Sequence, residues 1–313
     1  MKHLPDLKRL KDHFLEVPLP DAVFQLTTSY LTGLRLSPRE RRAAGSFISR
    51  LPAGVIRPSF DETNFLNIPL LESKVKEGMA RIGLGQGTVA VLLPEMCARV
   101  FILNINSTSV SQKEKEKIVR WRVGKQMLVV PEDARFIFQG FPAGSSERIV
   151  VAVGRGAVLQ EYEGLFSRCQ LAVGNLSLPS LSLVNLLPAA DEDVLVVNVE
   201  EDSLSFAAVI DSELSLYRQK AFSFDMTPGA PLVQRIGGLL KEVENTMHYL
   251  EDKEKKRVRS LWFRSGLPDA GVDIAVELRR LMALTVRETG ELVVRDEGNG
   301  EKGLLSPLFG QLA

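Results

Sequence analysis

The chain has 313 residues, 45% of them hydrophobic, with 39 Lys and Arg balanced by 39 Asp and Glu. That length and apolar content suffice for a large core split between two lobes. Zero formal charge with dispersed cations argues against a nucleic-acid binder or a basic membrane-surface protein.

Residues 1–20 carry a short amphipathic pattern (Leu4, Leu7, Leu10, Phe14) ended by Pro18 and Pro20, and lack the apolar core of a signal peptide. No stretch reaches the roughly 18–20 apolar residues of a membrane span, so a cytoplasmic globular protein is expected. Ala22 to Leu26 and Leu31 to Leu36 read as a hairpin around Thr27, Thr28 and Ser29. Pro69 then opens a helix with Leu70, Leu71, Val75, Met79 and Ile82 on one face. Gly83, Gly85 and Gly87 are too late and too evenly spaced for a phosphate cradle and mark a turn into the strand Val89 to Leu93. Cys97 and Cys169, with three histidines, form no metal-ligand spacing and read as small buried hydrophobes.

Ser111 with Glu114 is a capping-box pattern, and Val119, Val123 and Met127 follow at fours along one helix face. An extended segment at Leu128 to Pro131 and a half-exposed strand from Arg135 to Phe141 complete a small appended module. Ile149 to Val153 has the continuous apolar character of a buried strand, and a helix through Val158, Tyr162 and Phe166 comes next. Leu181 to Leu187 is a further apolar segment, and Asp191, Glu192 and Asp193 read as an exposed turn into the second lobe. Three strands follow at Val194 to Val199, Leu204 to Val209 and Leu214 to Arg218, repeating the opening hairpin. A helix from Leu232 to Leu250, a strand from Val258 to Phe263 and a hydrophilic tail from Glu297, pinned by Ser306 to Phe309, end the chain. The expected division is a first lobe (1–106, with a loose segment 1–20), an appended subdomain (107–141), the rest of the first lobe (142–190), a trimmed second lobe (191–296) and a tail (297–313).

This order resembles the pilus-assembly PilM family, the FtsA-like branch of the actin superfamily. The family's VALALP strand is matched by Val89-Ala90-Val91-Leu92-Leu93-Pro94, and its W-E-A-E-like helix by Ile118-Val119-Arg120-Trp121-Arg122. Its I-P-F segment is matched by Leu128-Val129-Val130-Pro131, and the strand after it by Ala134 to Phe138. The resemblance implies an α/β, actin-like (ribonuclease-H-like) two-lobed fold with a small α+β subdomain appended to the first lobe. It also implies a cytoplasmic component of a type IV pilus or type II secretion platform at the bacterial inner membrane. Such a protein takes up the N-terminal cytoplasmic peptide of a PilN-like single-span protein, meets the membrane only through that partner, and can form homo-oligomers. The rival reading is an active actin-like ATPase or sugar-kinase-like phosphotransferase with an atypical site.

The same resemblance places a nucleotide cleft at Gln25, Thr27, Thr28 and Ser29 in the first lobe and at Asn198, Glu200 and Ser203 in the second, with Ser265 and Gly266 at the adenosine turn. Both family Asp positions are amides here, Gln25 and Asn198, which carry no charge for Mg²⁺. Glu200, Glu201 and Asp202 would stand beside the phosphates, where a like-charged pair about 4 Å apart costs on the order of 4 kcal/mol at an effective dielectric near 20. A pseudo-ATPase without catalytic residues, bound metal or cofactor is therefore expected, since Mg²⁺ and ATP would need a further bridging ion. The candidate partner contacts are Trp121, Arg122, Val123, Phe136 and Phe138. Trp121 has two readings, as the module's anchor on its lobe or as an interface aromatic.

Overall fold

The computed structural model describes residues 19–37, 43–105, 111–143, 146–188, 193–223, 232–267, 271–293 and 299–313. The N-terminal amphipathic pattern and the expected limits near residues 106, 190 and 296 lie outside them.

In the first lobe, β1 (Ala22–Leu26) pairs antiparallel with β2 (Tyr30–Leu36) and parallel with β4 (Gly87–Leu92), so Gln25 lies between Thr32 and Leu92. With β3 (Ala43–Arg50) and β8 (Leu171–Ser177) the sheet order is β3-β2-β1-β4-β8. All of β1 is buried, its apolar residues Ala22, Val23, Phe24 and Leu26 suiting a strand covered on both faces, with Gln25 the one polar side chain among them. Helix α1 (Ile68–Arg81) starts where the Asn67 side chain accepts from Leu70 N at 3.1 Å and Pro69 sits in the first turn. It buries Leu71, Val75 and Met79 on the sheet. Gly33 and Gly78 are required where they stand, because a Cβ at either would overlap the Phe47 ring wedged between α1 and β2. Helix α3 (Gly156–Arg168) adds Val158, Tyr162, Leu165 and Phe166 to the same core.

The second lobe repeats this plan. Strands β9 (Val194–Val199), β10 (Ser203–Ile210), β11 (Glu213–Ala221), β12 (Ser260–Ser265) and β13 (Thr285–Glu288) run in the order β11-β10-β9-β12-β13. Directions match too: β9 is antiparallel to β10 and parallel to β12. Helices α5 (Leu232–Tyr249) and α6 (Gly271–Leu281) cover one face with Ile236, Leu239, Val243, Ile274 and Leu278.

Each lobe lends the other a helix. Helix α4 (Pro179–Leu186) leaves the first lobe and sets Leu183 against Val194, Val196, Ala207 and Trp262 of the second sheet. Helix α7 (Asn299–Gly310) leaves the second lobe and sets Leu305 and Leu308 on Val23, Leu34, Ala90 and Leu92 of the first. The two helices touch, Ser182 Oγ donating to Gln311 Oε1 at 3.0 Å. The expected tail at 297–313 is corrected accordingly: from Asn299 it is a helix whose apolar residues are needed to close the first sheet.

The appended subdomain is wider than 107–141. Its sheet, in the order β5-β7-β6, also uses β5 (Ala98–Ile105) and β7 (Ser146–Arg155) around β6 (Ala134–Ala143), all antiparallel. Ile149 to Val153 therefore belongs here and not to the first lobe's sheet. Its alternate residues Ile149, Val151 and Val153 lie under Val119 and Val123 of α2 (Gln112–Gln126). The capping box forms, Ser111 N donating to Glu114 Oε2 at 3.0 Å while Glu114 N donates to Ser111 Oγ. The subdomain also reaches the second lobe: Arg148 pairs with Glu213 at 3.1 Å, and Gln219 Nε2 donates to Ala98 O at 2.6 Å. Among the described residues no helix is long and apolar enough to cross a membrane.

Candidate functional site

The turns after β1 and β9 face each other across the interlobe cleft, as the pseudo-symmetry of the sheets demands. Gln25 Nε2 donates to Glu200 Oε1 at 3.1 Å, and Tyr30 Oη donates to Glu200 Oε2 at 3.0 Å. At the rim, Thr28 Oγ1 donates to Glu201 Oε2 at 3.3 Å, and Ser29 Oγ donates to the same oxygen. The sequence thus names most of one constellation: Gln25, Thr28, Ser29, Glu200 and Gly266 converge. Thr27 and Ser203 serve their own turns instead, Thr27 Oγ1 capping Ser29 N and Tyr30 N, and Ser203 Oγ donating to Asp202 Oδ1. Ser265 Oγ accepts from Leu267 N at 3.1 Å.

At the centre stands Arg264, the residue just before the Ser265–Gly266 turn, to which the sequence assigns no role of its own. Its side chain is fully buried, and its guanidinium forms an ion pair with Glu200. Nη1 also donates to Asn198 Oδ1 at 2.8 Å and Nη2 to Tyr30 Oη at 2.9 Å. Nε donates to the carbonyl of Gly303 in α7 at 3.2 Å. A buried guanidinium is tolerated only with such a full set of acceptors. Gly266 fits here because a Cβ would overlap the Glu200 carboxylate and the Tyr30 hydroxyl. The close approach that its glycine permits is to a side chain of this protein.

A second hub is Glu95, in the turn after β4. Its Oε1 accepts from Ser180 N at 2.7 Å and Asn198 Nδ2 at 3.2 Å, and its Oε2 from Tyr217 Oη at 2.6 Å and Ser180 Oγ at 2.9 Å. Burial pushes the Glu95 carboxyl up, against the hydrogen bonds from Tyr217 and Ser180 that hold it down. Burial likewise drives the Tyr30 phenol well above its ordinary range. Asp202 is pushed up to about 6, first by burial and then by the charge of Glu200. Tyr30 opens β2, Glu95 lies in the turn after β4 and Arg264 is the penultimate residue of β12, and what sets them apart is their partners in the other lobe rather than a pattern in the sequence around them.

These residues do not suit a metal-bound nucleotide. Arg264 in the cleft is already paired with Glu200, and at the rim Glu201, which accepts from Thr28 and Ser29 but has no cation beside it among the described ion pairs, repels phosphate. Among the described residues no group of three or more His, Cys, Asp or Glu is arranged to hold a metal ion.

The candidate partner residues fall into two sets. Val123 is fully buried within the subdomain, between α2 and its sheet, and is corrected from partner contact to core. Phe136 and Phe138 are half-buried on β6 beneath α2, with Arg120 stacked 4.4 Å over the Phe136 ring. Arg122 Nη1 donates to Asn104 O at 2.6 Å. Trp121 is 62% exposed, so it does not anchor the subdomain. Strand β6 forms the outer edge of its sheet, with Ile137 exposed.

Two lobes of equal topology, each sheet ordered as above, with an interposed helix pair and a cleft at the β1 and β9 turns, define a protein of the actin-like ATPase fold. The chain is similar over 94% of its length to 98% of a chain in a PilM-PilN type IV pilus biogenesis complex, with a TM-score of 0.78 at 14% identity. It is similar over 93% of its length to 95% of the cytoplasmic domain of EpsL, an inner-membrane component of the type II secretion system of Vibrio cholerae, with a TM-score of 0.53 at 13% identity. A Bacteroides thetaiotaomicron protein with an actin-like ATPase fold matches with a TM-score of 0.53 at 10% identity, over 94% of this chain and 98% of that one. No family model and no curated protein matches the sequence.

Proposed function

We propose that this chain is a scaffold of a type IV pilus or type II secretion assembly platform that works without nucleotide turnover, on the cytoplasmic side of the inner membrane. The observation that carries the reading is the buried Arg264–Glu200 pair, which links Gln25 and Tyr30 of one lobe to Asn198 of the other. In an actin-like fold a metal-bound nucleotide bridges the lobes at this place; here side chains supply the bridge.

The similarity to a chain of a PilM-PilN type IV pilus biogenesis complex supports a PilN-like partner. Strand β6 suits an extended peptide, since an edge strand offers backbone donors and acceptors to a further strand. Phe136 and Phe138 would then contact side chains of the added strand on the α2 side, and Ile137 on the other.

A synthetic peptide from the cytoplasmic N-terminus of a PilN-like single-span membrane protein tests the reading by calorimetry. Micromolar binding is expected, because a disordered segment loses part of its interaction energy to ordering. Ile137→Lys should weaken it severalfold, and no binding at all would refute the partner. The rival reading, an actin-like ATPase or phosphotransferase, requires Mg²⁺-dependent conversion of ATP to ADP, with phosphate released to water in the first case and transferred to an acceptor hydroxyl in the second.

A further inference from the structure

The formal charge of the whole chain is zero, but α2 holds Lys113, Lys115, Lys117, Arg120, Arg122 and Lys125 against Glu114 and Glu116, a net charge of +4 in 15 residues. Several of these charges have local partners. Lys115 pairs with Glu147 at 2.8 Å, Arg120 with Glu116 at 3.0 Å, and Arg122 is held by Asn104 O. Glu114 is occupied in the capping box. That leaves Lys113, Lys117 and Lys125 with no acidic partner among the described residues.

Their placement follows from helical geometry. Val119 and Val123 face the sheet, and the row Lys117, Trp121, Lys125, spaced at fours, runs along the opposite crest. Lys125 Nζ lies 5.6 Å over the Trp121 ring. After the helix the chain folds back, Val130 lying 3.9 Å from where a Cβ of Gly124 would be. This sets Leu128, which is fully exposed at 104%, and Val129, at 73%, beside the same crest. Gly124 and Trp121 are three apart, so the exposed Leu128 and Val129 follow the same end of α2 that carries Trp121, and these residues make up an apolar tip with Lys117 and Lys125 one turn to either side of the indole. Glu132, exposed in the following turn, is the acid nearest in sequence to the tip.

We infer that this tip docks on an anionic bilayer surface, Trp121, Leu128 and Val129 entering the headgroup boundary while Lys113, Lys117 and Lys125 meet the lipid phosphates. A tryptophan and aliphatic side chains flanked by lysines are the side chains that favour the water–lipid boundary. Positive charge concentrated at one apex complements an anionic leaflet. The contact is direct, whereas the sequence alone suggested membrane association only through a partner. It is independent of the peptide-binding proposal, which uses the edge of β6.

The test is co-sedimentation of the full chain with vesicles of phosphatidylcholine alone and of phosphatidylcholine mixed with phosphatidylglycerol, at low and high salt, together with tryptophan emission. Binding to the mixed vesicles only is expected, released by salt, with a blue shift from Trp121; Trp262 is buried and stays constant. Each lysine changed to glutamine should lower the partition coefficient roughly fivefold. The triple variant Lys113→Gln/Lys117→Gln/Lys125→Gln should abolish sedimentation at an unchanged melting temperature, because all three side chains are exposed. Failure to bind mixed vesicles at low salt, equal binding to neutral vesicles, or binding without a Trp121 shift would overturn the inference. So would a Trp121→Ser variant that keeps vesicle binding and loses peptide capture, which would make the tip a protein contact.

Discussion

Pro307 has no N–H to donate to the carbonyl of Gly303, and Arg264 Nε donates to that carbonyl at 3.2 Å in its place. A proline inside a helix normally costs about 3 kcal/mol through the hydrogen bond it removes. Here the freed acceptor is used by the buried guanidinium and by Ser306 Oγ at 2.9 Å. The helix lent by the second lobe is thereby tied to the network that joins both lobes. Pro307→Ala should accordingly gain much less than the roughly 3 kcal/mol expected of a free helix; a full gain in chemical denaturation would mean that Arg264 does not depend on this carbonyl.

The Arg264–Glu200 pair should show strong coupling. Arg264→Met leaves Glu200 buried without its cation and is expected to cost about 3–5 kcal/mol. The double variant Arg264→Met/Glu200→Gln should cost clearly less than the sum of the two single changes. Additivity within about 0.5 kcal/mol in a denaturant double-mutant cycle would show that the two side chains act separately.

Asp202 gives the cleft a pH dependence. Its folded pKa, about 6, lies above the unfolded value, so the folded state binds the proton more tightly. The stability linked to that proton is complete below about pH 4 and is lost as pH rises through 6. Asp202→Asn should therefore raise the melting temperature at pH 7.5 and change it little at pH 4.5, a difference of about 1–2 kcal/mol. Equal shifts at both pH values would contradict the assignment.

In the appended subdomain, core and surface should separate cleanly. Val123→Ala is expected to cost about 2 kcal/mol and Ser111→Ala about 1 kcal/mol. Trp121→Ser should leave the melting temperature unchanged within about 0.5 kcal/mol of stability. A large loss at Trp121 would place the indole in the core, against its exposure.

How much of this was legible from sequence depended on what each residue had to announce. Strands β1, β4, β9 and β10 are buried runs bounded by turns, and α1 and α2 carry caps, so the pattern alone located them. Strand β3 is half-exposed and reads as Ala-Ala-Gly-Ser-Phe, which has no clear period, and β8 is interrupted by Gly174. Helix α7 was hidden by its glycines and by Pro307, whose cost is met by the hydrogen bond from Arg264 to Gly303 O, which spans 39 positions of sequence. The same holds for the site. Gln25, Asn198, Glu200 and Gly266 were named through the resemblance, whereas Arg264, Tyr30 and Glu95 are defined by partners up to 234 positions distant, which no local pattern records.

The proposed absence of nucleotide turnover bears most directly on what the cleft is for. Gln25→Asp with Asn198→Asp should not create an ATPase while Arg264 and Glu200 fill the space between the hairpins. The decisive measurement is calorimetric titration of the native chain with ATP and Mg²⁺. No heat of binding in the micromolar range is the expected result; a sub-micromolar dissociation constant would contradict the account.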